Sequence, residues 1–407
     1  MNSRTTWRAL AFAALVTAVL AVGAASASAR SAATQISLAG TGTAQTGAFT
    51  PSGPGDVTNV EFAGEGDDEA DVDAFSGSIV DRSLSKGVGT GPSVTGGKKA
   101  KSDPHFVSGF EGLNFYQQRY ARGGNQFSVE PPDQALCVGN GYVVEAVNDV
   151  INVFNASGQS VLPDNTATNI VSGFPRNVNH AVDLNSFYGY APAINRATGV
   201  RAQNVTDPSC LYDAATQRFF VVVLTLEALP NGALTLQNHL DIAVSQTSNP
   251  TGSWNIYRTD VTNDGTNTGG VNAGPYLGDY PHIGADANGF YITTNAYPWL
   301  HNGFAGAQLY AFSKSQLAAG AASVTMQHID TSGMVNLPSD AGATQPGFTV
   351  WPAQSPGNSF NTDSNGTEYL LSSNAADEAT HPVAGTGGDY TSSTLVAPAA
   401  SCAFEYA

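Results

Sequence analysis

From about residue 106 onward, apolar and β-branched residues fall into short runs bounded by Gly, Asn, Asp and Pro. Short runs of that kind, alternating or continuously apolar, mark strands separated by turns. The pattern predicts strands over Tyr142–Val147, Ile151–Phe154, Phe219–Leu226, Leu240–Ser245, Asn255–Thr259, Phe290–Asn295, Gln308–Ser313 and Glu368–Ser373. Residues Ser313 to Ala319 offer one short turn of helix, and hardly any segment carries the apolar stripe of a longer one. The chain reads as all-β.

The strands come in repeated phrases. "PPDQALCVGNGYVVEAVNDVINVFNASGQSV" (131–161) runs Pro-Asp, gap, strand, tight turn, strand, Gly turn. "TDPSCLYDAATQRFFVVVLTL" (206–226) restates it and is completed by "HLDIAVSQTSNPTGSWNIYRTD" (239–260). "GDYPHIGADANGFYITTNAY" with "AQLYAFSKSQL" is a third copy, and "GFTVWPAQSPG…TEYLLSSNAA" a weaker fourth. Repeats that stack sheet on sheet around an axis bury both faces of each sheet, so a β-propeller is the natural reading and a two-sheet sandwich the rival. The copies begin near 131, 206, 279 and 347, wider than an ideal blade, so long loops intervene.

Before the repeats the pattern differs. Arg4 and Arg8 followed by an apolar run from Ala9 to Ala25 and the small residues Ala27-Ser28-Ala29 have the form of a secretory signal, residues 1–29. No other run is long and apolar enough to span a bilayer. Residues 30–104 are rich in Gly, Ser, Thr and Ala with little periodicity, and include the acidic "EFAGEGDDEADVD". That composition predicts a disordered leader, which leaves 105–395 as the propeller and 396–407 as an irregular tail. The closing "STLVAPAASCAFEYA" supplies no obvious closing strand, and four phrases are few for a closed ring, which suggests a truncated form of a longer propeller.

The formal net charge of −17 makes nucleic acid and anionic membranes poor partners. An exported chain can carry a disulfide. Cys137 and Cys210 stand in equivalent repeat positions and can pair across neighbouring strands, or remain independent buried thiols; Cys402 is left over.

Taken together, "PPD…VG…VVEAVN…VFNASG", "DPSCLYDAATQRFF", "AVSQTSNPTGSW", "GDYPHIGADANGFYITTN" and "YAFSKSQLAAG" resemble a family of secreted bacterial β-propellers. That family is related in architecture to sialidases and largely lacks an assigned activity. The resemblance spans roughly residues 110–375 and implies a fold more than a function.

Asp133, Asp207 and Asp279 each lie beside a proline and align at one repeat position. Inner strands line the axis of a propeller, so the three carboxylates are expected near a common mouth, able to hold a hard cation such as Ca²⁺ or to divide acid and base roles in glycoside hydrolysis or elimination. The plainer reading is structural: Asp before Pro opens turns by accepting backbone N–H bonds. His282 follows the third doorway as a candidate proton shuttle, and Tyr280 stands beside it as a ligand contact. In the insertion 174–204, Phe187, Tyr188 and Tyr190 form a candidate stacking surface for a sugar or peptide, or pack onto their own blade. "SNPTGSW" resembles the Asp-box turn of sialidase blades, with Pro250 in place of the Asp, and assigns Trp254 to the core. The arginines that a sialidase needs are not convincingly placed: Arg218 and Arg258 stand at strand ends, and only Arg196 and Arg201 remain. Three functions stay open: a secreted propeller that binds a glycan or cell-surface polymer at its mouth, a glycoside hydrolase or lyase, and a structural or adhesive protein with an inert channel.

Overall fold

The computed structural model describes residues 33–44, 109–114, 117–118, 121–127, 129, 133–163, 180–265, 274–300, 303–330 and 348–354, with isolated strand pairs at 337–338, 344–345, 367–373 (less 369) and 402–403. The expected signal segment 1–29 and, apart from 402–403, the expected tail 396–407 lie outside them.

Strands β1 (Ala33–Thr43), β2 (Gln134–Gly139), β3 (Tyr142–Val147), β4 (Val150–Asn155), β5 (Val182–Asp183), β6 (Ile194–Asn195) and β7 (Val200–Arg201) come first. They are followed by β8 (Asn204–Asp213), β9 (Arg218–Ala228), β10 (Leu234–Ser245), β11 (Ser253–Asp260), β12 (Tyr276–Ala285), β13 (Gly289–Pro298), β14 (Ala307–Ser313) and β15 (Ser323–Asp330). The last are β16 (Leu337–Pro338), β17 (Thr344–Gln345), β18 (Phe348–Pro352), β19 (Thr367–Glu368), β20 (Leu370–Ser373) and β21 (Cys402–Ala403). Three antiparallel four-stranded meanders result: β2–β5, β8–β11 and β12–β15. A fourth, partial sheet pairs β18 with β20.

These sheets stack as propeller blades. In β9, Phe219, Val221 and Val223 point into a core shared with Cys137, Val144, Ile151 and Val153 of the first blade. The alternate residues Phe220, Val222, Leu224 and Leu226 point the other way, into a core shared with Ile283, Phe290, Ile292, Tyr310 and Phe312 of the third. A third core joins Tyr291, Leu309 and Ala311 to Val350 and Leu370 of the fourth sheet. Burial on both faces is why "RFFVVVLTL" is continuously apolar rather than alternating, and each such side chain contributes roughly 1.5–3 kcal/mol. Three successive cores exclude the two-sheet sandwich. The first strands of consecutive blades, β2, β8, β12 and β18, lie side by side in chain order. Trp254 is fully buried and donates from Nε1 to Pro250 O at 3.0 Å, the expected core role.

The cysteine alternative is decided. Cys137 in β2 and Cys210 in β8 form a disulfide across the first two inner strands, with Cα atoms 5.4 Å apart. Closing a loop over 73 positions is worth about 4 kcal/mol in the chain-entropy account.

One part of the expected leader is structured. Residues 33–43 form β1, which pairs antiparallel with β15 over Ala33–Ser37 and with β11 over Leu38–Thr43. It joins the second and third blades into one nine-stranded sheet. Low overall apolarity hid it, because Ile36 and Leu38 alone reach the core and main-chain bonding does most of the holding. Residues 45–104 of the expected leader lie outside the described residues.

Candidate functional site

The doorway motif is a β-bulge, repeated in three blades. In β8 the register with β9 slips between Thr206 and Ser209, in β12 between Asp279 and His282, and in β18 between Phe348 and Trp351. The first bulged residue each time has positive φ: Asp207 at 51°, Tyr280 at 49° and Thr349 at 45°. Proline follows in two of the three, a position it tolerates in a strand only at a bulge or edge. The sequence alignment is therefore one residue out of phase. Asp279 is still paired, opposite Asn295, and is the counterpart of Thr206; Tyr280 is the counterpart of Asp207. Asp133 precedes β2, whose register with β3 runs without a slip. The three aspartates do not occupy one repeat position.

What the bulges do is join blades. Each bulge amide donates to a side-chain oxygen of the preceding blade: Asp207 N to Asn148 Oδ1 (3.2 Å), Tyr280 N to Asp207 Oδ2 (3.3 Å) and Thr349 N to Asn295 Oδ1 (2.9 Å). Bulge carbonyls are met in the same way, Pro281 O by Ser209 Oγ (2.5 Å) and Val350 O by Thr293 Oγ1. Asn148, in the β3–β4 turn, donates its own amide to Asp133 O at 2.9 Å. Asp207 thus stitches the second blade to the third: its carboxylate accepts a backbone N–H, but from the next blade and from within a strand rather than in a turn of its own. Among the described residues no three His, Cys, Asp or Glu side chains are grouped to hold a metal ion, so the geometry gives no support to a Ca²⁺ cage of Asp133, Asp207 and Asp279.

The residue two places beyond each bulge amide forms a second band, Ser209, His282 and Trp351 in successive blades. His282 is buried and stacks on Trp351 at 4.1 Å, with the Tyr280 ring edge-on at 4.5 Å. Burial lowers the His282 pKa to about 4, so the imidazole is neutral near pH 7 and its expected role as a proton shuttle there has no support. Trp351 is 47% exposed. The stack carries an indole face from the interior to solvent.

Beside the first doorway lies a further acid group. Asp149, next to Asn148 in the turn, is buried with Asp183 and Asp207 for neighbours; burial first, then those two charges, raises its pKa well above the usual value. Asp183 caps the short helix Leu184–Phe187 by accepting from Ser186 N, and its Oδ2 takes Arg122 Nη1 at 3.1 Å. Asp149 Oδ2, Asp183 Oδ1 and Asn148 Nδ2 are buried with no hydrogen-bond partner among the described residues. "VNDV" reads as a hairpin turn, and only its contact with the next blade gives it weight.

The expected stacking surface in 174–204 does not form. Phe187 and Tyr188 are buried, the former edge-on to Trp254 at 5.4 Å, the latter donating to Val221 O at 3.0 Å. Half-buried Tyr190 donates to Asp241 Oδ2 at 2.7 Å, under the Arg258 guanidinium. Residues 187–190 pack onto their own blades because Phe187 and Tyr188 fill the core between the first and second.

Comparison with known proteins adds little. No protein family and no curated protein matches the chain. Among solved structures it is similar to a xylan β-1,4-xylosidase from Bacillus halodurans C-125 (11% identity, 60% of this chain and 36% of that one, TM-score 0.28). A GH43_1 enzyme from Xanthomonas citri is similar at 11% identity, over 60% of this chain and 67% of that one, with a TM-score of 0.27. The chain thus spans about a third of the xylosidase. Likeness this distant carries no weight for substrate or site.

Proposed function

We propose that this is an exported propeller that binds a hydroxyl-rich ligand, a glycan or cell-surface polymer, at the mouth where the bulged inner strands meet. The observation that carries this reading is the half-exposed Trp351 indole stacked on a neutral His282, with Tyr280 edge-on. A flat, uncharged aromatic face suits the C–H faces of a pyranose, and the half-buried carboxylates Asp133, just before β2, and Asp279, in β12, stand on either side of β8 with oxygens that can accept from hydroxyls. The Cys137–Cys210 disulfide supports export to an oxidising compartment. The test is retention on a broad glycan array, with Trp351→Ala as control; loss of retention in that variant, with folding intact, is expected. An array without any retained glycan contradicts the reading.

A hydrolytic reading rests on a different group. Asp149, whose pKa is raised by burial and by the charges of Asp183 and Asp207, stands near carboxylate partners as a general acid would. It predicts turnover of aryl glycosides that Asp149→Asn abolishes; no turnover by the unsubstituted chain removes it.

A further inference from the structure

The strand β1 crosses from one blade to the next, and it is held in a way that allows another copy to supply it. Its first half lies on the outer edge of β15, from Ala33 opposite Gln327 to Ser37 opposite Ser323. Its second half lies on the outer edge of β11, from Leu38 opposite Tyr257 to Thr43 opposite Ser253, with an irregularity between Leu38 and Gly40. Without β1, two blade edges present open rows of N–H and C=O groups, a template on which another strand can pair.

The slot selects its occupant by side chain. Ile36 enters the core between the second and third blades, with Leu38 packed against it, and Ala44 enters the core between the first and second. Gly42 is required by space, since a Cβ there would stand 2.3 Å from Phe187 O. The intervening Gln35, Ser37, Thr41 and Thr43 are exposed. An extended segment with apolar residues at 36 and 38 and small ones at 42 and 44 is what fits, and β1 is that segment. Most of its hold is main-chain pairing and few side chains are buried, so its removal leaves the blade cores largely filled.

Between Ala44 and the next described residue, Gly109, stand residues 45–108. A chain of that length spans roughly 200 Å at full extension, against a radius of gyration of about 19 Å for some 300 packed residues. Covalent reach therefore does not tie β1 to its own blades. We propose that the β11–β15 slot is a strand-exchange site whose partner is a second copy of this chain, each copy seating its β1 on the other's blades to close a two-fold dimer.

Register supplies the test. In a Cys402→Ser background, chains carrying Ser37→Cys are mixed with chains carrying Ser323→Cys, unfolded in urea, refolded together at high concentration and treated with a short bismaleimide. The cross-linked dimer is expected in the mixture, and a large excess of a synthetic peptide of residues 33–44 is expected to lower its yield at least about tenfold by mass action. The chain carrying both cysteines reports the register itself. If it links within one chain while the mixture yields only unlinked copies, exchange is overturned. If it does not link at all, the pairing on which the proposal stands is wrong. Native mass spectrometry of the unsubstituted chain, refolded the same way, is expected to give a dimer; a monomer alone overturns the proposal without reliance on any substitution.

Discussion

Two groups of buried carboxylates sit on adjoining blades and are finished in opposite ways. On the second blade, Asp241 is fully buried and saturated. Its oxygens accept from Tyr190 Oη (2.7 Å), Thr225 Oγ1 (2.7 Å) and Arg258 Nε (2.7 Å), and His239 Nε2 stands at 3.2 Å. Burial alone raises its pKa, but the hydrogen bond and charge of His239, the charge of Arg258 and the Tyr190 hydrogen bond outweigh it and leave it lowered. At the first doorway, Asp149 and Asp183 are just as buried, yet each keeps an oxygen with no partner among the described residues, and the Asp149 pKa is raised. The same residue type thus marks a closed network that fixes Tyr188 and Tyr190 and an open one beside the first doorway. Burial by itself does not separate structure from function; completeness of bonding does.

Substitutions sharpen that contrast. Asp241→Ala is expected to cost the most, about 2–4 kcal/mol in urea unfolding, the upper figure discounted because the Arg258 side chain stays 38% exposed. Its contribution is present above about pH 4 and is lost as pH falls through the lowered folded pKa. Asp207→Ala is expected to lose about 2 kcal/mol, through the missing Tyr280 contact and the positive φ that alanine disfavours, whereas Asp207→Asn keeps both and loses under about 1. Equal losses in the two variants would show that the bulge is not what Asp207 serves.

Asp149→Asn carries the opposite sign. A carboxyl whose folded pKa is raised lowers stability as pH climbs from the unfolded value towards the folded one. The variant is therefore expected to be more stable than the parent above about pH 4, by on the order of 1 kcal/mol, with the gain vanishing in acid. Unfolding curves from pH 3 to 8 check this, and a loss at neutral pH would place Asp149 with Asp241 as a structural group. His282 works in reverse: with its pKa lowered to about 4, the parent is expected to lose stability as pH falls from about 6.5, and His282→Gln flattens that limb. Trp351→Ala, at a half-exposed position, is expected to change stability least, by under about 1 kcal/mol.

The strands were legible wherever both faces of a blade are buried, since "FVVVLTL" and "LYAFS" announce themselves by composition. β8 and β12 were harder to see, because each carries a proline at its bulge and reads as a gap before a strand. That misreading displaced Asp279 by one residue and drew three aspartates into a row that the fold does not build. β1 was invisible because its bonds are main-chain and its side chains small. Trp351 was within view in "FTVWP", but its partner His282 belongs to another blade, and nothing local joins them. Asn148 and Asp149 illustrate the same limit: a hairpin turn in sequence becomes a blade contact only when the next inner strand lies beside it.

The most direct measurement is a glycan array read with the unsubstituted chain, Trp351→Ala and Asp241→Ala side by side, at a temperature where all three are folded. Retention of at least one glycan by the first and third, with loss in Trp351→Ala, is the predicted result. Undiminished retention by Trp351→Ala, or none by any of the three, would contradict a binding mouth built on the Tyr280–His282–Trp351 stack.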